Sequence, residues 1–142
     1  MILFVEDNDD HAELVRRSLE DHRVANHIEH VSDGEQALDY LFRRGEFEDP
    51  EENPRPDVIL LDLRLPKVDG LEVLKAIKGD DDLRRIPVVV LTTSEKESDI
   101  AKAYDRNANA YLVKPIDFDK FVDLMRDLGF FWLAWNKPPQ SE

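Results

Sequence analysis

Val58-Ile59-Leu60-Leu61-Asp62 is the stretch that decides the fold. Four apolar residues closing on a carboxylate read as a fully buried strand of a parallel sheet. Ile2-Leu3-Phe4-Val5, followed by Glu6-Asp7, repeats the pattern. In parallel sheets covered by helices, ligands bind outside the carboxyl ends of the strands. Two strands therefore deliver Glu6, Asp7 and Asp62 to one edge. Three like charges in one place repel and raise at least one pKa unless a cation binds among them. Oxygen-only ligands suit Mg²⁺, which takes one or two carboxylates and keeps several waters. The arrangement points to a metal-dependent phosphate site.

Outward from these runs the chain alternates strand and helix, which predicts a doubly wound α/β fold: five parallel strands with helices on both faces. Strands are expected at residues 2–6, 27–31, 58–62, 88–92 and 110–113. Asp9 and Asp10 open the first helix, where acids suit the N-terminus. Ser32-Asp33-Gly34 turn into a second helix whose inward face is Ala37, Leu38 and Leu41. Residues 43–56 form a long acidic surface loop. Helices follow at 71–78, at about 96–107 and from Phe118 onward, giving five β-α units in one compact domain. Asp69 reads as a cap for the third helix.

With 142 residues the chain holds one domain with a proper core. It has no cysteine, which excludes disulfide and thiol chemistry and makes a cytoplasmic home the default. No signal peptide and no apolar run of membrane-spanning length is visible. A net charge of −13 argues against binding nucleic acid or an anionic membrane. Asp outnumbers Glu by 19 to 13, a bias that fits a high-salt source as well as an ordinary soluble surface.

The remaining strands add chemistry to the same edge: Thr92 closes the fourth and Lys114-Pro115 the fifth. Around Asp62 these supply what phosphoryl transfer to a carboxylate needs. Asp62 is the nucleophile, Lys114 and Mg²⁺ offset charge on the phosphoryl oxygens, and Thr92 donates a hydrogen bond. Each feature alone has an ordinary explanation in capping, strand propensity or a solvated surface. Their recurrence at successive strand ends is the signal.

Val5-Glu6-Asp7-Asn8, Leu61-Asp62-Leu63-Arg64-Leu65-Pro66, Asp69-Gly70, Leu91-Thr92-Thr93 and Tyr111-Leu112-Val113-Lys114-Pro115 together resemble the receiver domain of two-component response regulators, a CheY-like, flavodoxin-like fold. The likeness runs from Ile2 to about Leu128. The gaps of 30 residues from Asp62 to Thr92 and 52 from Asp62 to Lys114 also fit that family. The long loop before the third strand, Leu83-Arg84-Arg85-Ile86-Pro87 and the aromatic tail are similar to single-domain regulators paired with bacterial phytochromes. The resemblance implies a phosphorelay role, with a histidine kinase of phytochrome type as partner. It makes Asp62 the phosphoacceptor and Lys114 its phosphate-contacting lysine. Mg²⁺ would be ligated by Asp7, Asp62 and the backbone carbonyl of Arg64, with Glu6 acting mainly through water. Thr92 and Tyr111 would be the paired switch residues, and Pro115 would follow a cis peptide bond. The family more often has Asp where Glu6 stands, so here the arm is one methylene longer. Arg64 and Ser94, two residues beyond the acceptor and the switch hydroxyl, are placed to influence the water that attacks an acyl phosphate.

Other features are set aside. His27 and His30 face opposite sides of a strand and cannot pair on a metal. His11 and His22 read as helix-surface residues, and the acids of residues 46–53 as solvated. A dehalogenase-type phosphatase would want an Asp where Arg64 stands, and a flavodoxin a Ser/Thr/Gly-rich loop where Asn8-Asp9-Asp10-His11 stands. A pseudo-receiver that takes no phosphate is the remaining alternative, disfavoured by intact Asp7, Asp62, Thr92 and Lys114. Residues 1–136 are expected to form the receiver domain and 137–142 a polar tail, with no output domain. Phe121, Leu124, Met125, Leu128, Trp132 and Trp135 make an apolar stripe on the last helix, and Phe130, Phe131 and Leu133 lie off it. That end is apolar nearly all round, which predicts an isologous homodimer through the fifth helix.

Overall fold

The computed structural model describes residues 1–21, 27–92 and 96–114, together with Lys120, Asp123 and Asp127, which are helical. Five parallel strands, β1 (Ile2–Val5), β2 (Ile28–Val31), β3 (Val58–Leu61), β4 (Val88–Thr92) and β5 (Ala110–Val113), form one sheet in the order β2-β1-β3-β4-β5. Between them run α1 (Asp9–Asp21), α2 (Gly34–Leu41), α3 (Gly70–Lys78) and α4 (Glu97–Asp105). The expected doubly wound sheet is present, with strand ends within a residue or so of the sequence reading.

Period-two alternation divides the core into two layers. Leu3, Val5, Ile59, Leu61, Val88 and Val90 pack on one face with Tyr40 and Leu41 of α2 and Val73, Leu74 and Ile77 of α3. Ile2, Phe4, Val58, Leu60 and Leu91 pack on the other with Ala12 and Val15 of α1. Both faces of the central strands are dry, which is why those strands read as unbroken apolar runs.

Local chemistry fixes where the helices start. Asn8 Oδ1 accepts the His11 amide at 3.1 Å, Asp33 Oδ1 accepts the Gln36 amide at 2.8 Å, and Asp69 Oδ1 accepts the Leu71 amide at 2.8 Å. Each such cap is worth about 1 kcal/mol. Asp69 is thus the cap expected of it.

The loop of residues 43–56 keeps its acids in solvent, as expected, yet it is tied down. It contains a 3-10 turn at Gly45–Phe47, the Tyr40 hydroxyl donates to the Pro54 carbonyl at 2.8 Å, and Phe47 packs edge-on against Tyr40. The β3–α3 loop is tighter still. The Val68 amide donates to the Pro66 carbonyl at 2.8 Å around Lys67, whose φ is +67°. A Cβ at Gly34 would collide with the Val68 carbonyl, and one at Gly70 would meet the Asp62 carbonyl and stand 2.5 Å from Leu63 Cα. Two glycines thus let α2 and α3 close on the loop that follows Asp62. No helix among the described residues is long and apolar enough to cross a membrane.

Candidate functional site

Register places the first two acids. Val5 pairs with Leu61 across β1 and β3, so Glu6 and Asp62 leave the sheet side by side. Ladder bonds extend one residue past the strands: the Glu6 amide donates to the Val31 carbonyl and the Asp62 amide to the Val5 carbonyl, both at 3.1 Å. His30 Nε2 donates to the Glu6 carbonyl at 2.7 Å. His27 instead contacts Glu29, so the two histidines form no metal pair.

Glu6 and Asp62 are buried, Asp7 is exposed, and one oxygen from each lies within 4.8 Å of the others. Lys114, rooted just past β5 and 3% exposed, reaches into the same pocket. Its Nζ donates to Glu6 Oε1 and Oε2 at 2.8 and 2.7 Å and to Asp62 Oδ2 at 3.3 Å. The Arg64 amide donates to Asp62 Oδ1 at 3.1 Å. Asp62 is therefore oriented from both oxygens, by a loop amide on one and an ammonium on the other.

Two buried carboxylates around one ammonium leave a net negative pocket. The Glu6 pKa is raised from 4.5 to about 8: burial is the largest cause, the hydrogen bond with Asp62 adds to it, and Lys114 partly offsets both. Desolvation dominates because a carboxylate this deep has lost most of its hydration. The donor set, all oxygen and short of positive charge, fits a hard divalent cation. Glu6, Asp7 and Asp62 are the side chains that would hold it.

Thr92 is fully buried, and its carbonyl accepts the Lys114 amide at 2.7 Å. In the β4–β5 register Val90 pairs with Tyr111 and Thr92 with Val113. Thr92 and Tyr111 therefore point to the same face of the sheet, on adjacent strands. Tyr111 is half-buried against the core layer that α2 and α3 cover.

Two contacts depart from the sequence reading. His11, read as a helix-surface residue, stands at the pocket with Nδ1 3.3 Å from Lys114 Nζ and 3.5 Å from Glu6 Oε1. Burial, then the Lys114 charge, lowers its pKa from 6.5. The signal was there: in the first turn of a helix side chains lean back toward its N-terminus, here the end of β1. The Arg64 guanidinium, read from the sequence as placed to influence the water that attacks an acyl phosphate, lies 3.6 Å from Asp99 Oδ2 in the first turn of α4. Ser94, Pro115, His22, the aromatic stripe and the tail at 137–142 lie outside the described residues.

Residues 2–126 match the family model of the response regulator receiver domain. The chain is 45% identical over 139 residues to the probable methanogenesis regulatory protein FilR2 of Methanothrix harundinacea, covering 98% of this chain and 87% of that protein. It is 41% identical over 133 residues to the response regulator Rcp1 of Synechocystis sp., covering 94% and 88%. The crystal structure of the Mn²⁺-bound form of Rcp1 superposes with a TM-score of 0.91 at 40% identity, covering 98% of both chains. That of the phosphorylated cyanobacterial phytochrome response regulator RcpA also reaches 0.91, at 41% identity over 98% of this chain and 97% of that one.

Proposed function

The chain belongs to the response regulator receiver domain family and is related to phytochrome response regulators, and on that premise we propose that it accepts a phosphoryl group on Asp62. The observation that carries this reading is the setting of Asp62, held between the Arg64 amide and Lys114 Nζ beside two further carboxylates. A carboxylate oxygen of Asp62 attacks phosphorus, the P–N bond of a kinase phosphohistidine breaks, and the imidazole leaves with the bonding pair. Lys114 Nζ offsets charge on the phosphoryl oxygens, and the Thr92 hydroxyl donates to one of them. A Mg²⁺ ion held by Glu6, Asp7, Asp62 and the Arg64 carbonyl would supply further positive charge there. The Mn²⁺-bound relative supports a divalent ion, and the phosphorylated relative supports the acyl phosphate.

The partner on this reading is a histidine kinase of phytochrome type, and the output is a change of protein surface rather than catalysis. We read residues 1–136 as one receiver domain working in the cytoplasm, away from membrane and nucleic acid. A homodimer through the fifth helix and its aromatic end belongs to the same reading. Light scattering on wild type and a Phe131→Ser/Leu133→Ser variant tests it, and a wild-type monomer at every concentration, phosphorylated or not, rules it out.

Intact mass after incubation with Mg²⁺ and acetyl phosphate tests the central step. One added phosphoryl group on wild type and none on Asp62→Asn is expected. Equal labelling of both, or no labelling of wild type, overturns the reading, and the second outcome favours a phosphate-independent interaction module.

A further inference from the structure

An ammonium has three N–H donors, and three side chains surround that of Lys114. Glu6 takes it at 2.8 and 2.7 Å, Asp62 at 3.3 Å, and His11 Nδ1 at 3.3 Å. The Glu6 contact is the strong one, and it is also the contact that a bound cation would weaken. Lone pairs of Glu6 that ligate a metal are no longer free to receive Nζ. Lysine has a flexible four-carbon stem, so an ammonium released by Glu6 is left with the long 3.3 Å contact to Asp62 Oδ2 and is held there more firmly if a second acceptor flanks it.

His11 is placed to be that acceptor. Its Nδ1 lies nearer to Lys114 Nζ than to Glu6 Oε1, 3.3 against 3.5 Å. Among the described residues the carboxylates whose oxygens converge are Glu6, Asp7 and Asp62, so the imidazole stands beside the metal cluster and outside it. The capping bond from the His11 amide to Asn8 Oδ1 fixes the turn that carries the ring. We propose that His11 is a positioning residue for Lys114: Nδ1 accepts a hydrogen bond from Nζ and retains the ammonium beside Asp62 when Glu6 turns to a cation. The inference rests on the proposed phosphorylation of Asp62 for its consequence, and on the geometry alone for the contact.

The two are tested separately. Spectra of ¹⁵N-histidine-labelled protein with Mg²⁺ bound and no phosphoryl donor report the contact. The His11 Nδ1 resonance should shift on Lys114→Met, and an unmoved resonance overturns the proposal whether or not Asp62 is ever labelled. For the consequence, His11→Ala should slow acetyl phosphate labelling at saturating Mg²⁺ about tenfold, the size of one hydrogen bond to a charged group. Mg²⁺ affinity should hardly move. His11→Asn, whose Oδ1 can occupy the place of Nδ1, should recover most of the rate, whereas His11→Gln, whose acceptor extends further, should not. Rate and Mg²⁺ affinity lost in parallel, or Asn no better than Ala, overturns the positioning role. A wild type that takes no label at all is instead the failure of the proposed function.

Discussion

Lys114 donates to both carboxylate oxygens of Glu6 at 2.8 and 2.7 Å, and both side chains are almost wholly buried. The contact spans the sheet, since β3 and β4 lie between the strands that carry the two residues. Both oxygens of Glu6 thus face the ammonium. A metal must therefore compete with a lysine for Glu6, and with a proton as well.

That competition sets a pH dependence. The folded pKa of Glu6 is about 8 against an ordinary 4.5, so the folded state holds a proton that the unfolded state has released between those values. Stability from this group is full below about 4.5 and is lost as pH rises through about 8. His11 works in the opposite sense and lower: its depressed pKa adds stability above about 6.5 and withdraws it as pH falls. A decline of the metal-free protein between about pH 6.5 and about 8 is therefore expected, and its assignment is to Glu6. Thermal unfolding should show wild type losing Tm from about pH 6.5 to about 8 and levelling off above, with Glu6→Gln staying flatter. Saturating Mg²⁺ should remove the wild-type decline, and Mg²⁺ affinity should climb over the same range. Parallel curves for wild type and Glu6→Gln would sink the assignment.

A second prediction concerns the ion pair of Arg64 with Asp99. The guanidinium is exposed and turned toward α4, while the amide of the same residue holds Asp62 Oδ1. Freed by Asp99→Asn, it could shield an acyl phosphate from water, slowing decay by at most about fivefold, since exposed pairs are worth up to about 1 kcal/mol. Arg64→Asn should speed decay, because an amide can orient the attacking water. Loss of label from pre-phosphorylated protein, followed by intact mass, checks both. Faster decay in Asp99→Asn would contradict the idea.

What was legible in the sequence was what short-range physics writes there. Ile2–Val5 and Val58–Leu61 announce buried parallel strands because both their faces are dry, and Asp33 and Asp69 announce caps because a carboxylate two or three residues from an amide has little choice. The convergence of Glu6, Asp7, Asp62 and Lys114 followed from strand ends sharing an edge. The Arg64–Asp99 pair was illegible for the converse reason, and His11 was legible only faintly, through the backward lean of a first-turn side chain. Each is a polar group on a helix or loop surface in sequence terms, and only the approach of α1 and α4 to the pocket decides what it meets. Tyr40 likewise gave no sign that its hydroxyl would pin Pro54 across fourteen residues.

Gly70 should prove intolerant of a side chain. A Cβ there would meet the Asp62 carbonyl and stand 2.5 Å from Leu63 Cα, and backbone at the end of a central strand cannot give way cheaply. Gly70→Ala is expected to cost about 1–3 kcal/mol, as overpacking does elsewhere. Urea unfolding measures it. Wild-type stability in this variant would mean that the loop after Asp62 yields freely, and with it the Arg64 amide.

The final prediction concerns how the phosphoryl group is sensed. Thr92 is fully buried at the end of β4, and Tyr111 is half-buried on β5 on the same face. A phosphoryl oxygen on Asp62 offers the Thr92 hydroxyl a charged acceptor, a hydrogen bond worth about 1.5–3 kcal/mol. Movement of Thr92 toward it vacates space on that face, into which the Tyr111 ring can turn. The phosphoryl group would then shift the populations of two pre-existing arrangements through this contact. Hydrogen exchange with and without a phosphate mimic should therefore change most in α4 and β5. Thr92→Ala should still take label at Asp62 and lose most of that exchange response, and Tyr111→Ala should lose it at β5. Changes confined to α1 and α2, or a full response in Thr92→Ala, would show that the signal leaves by another route.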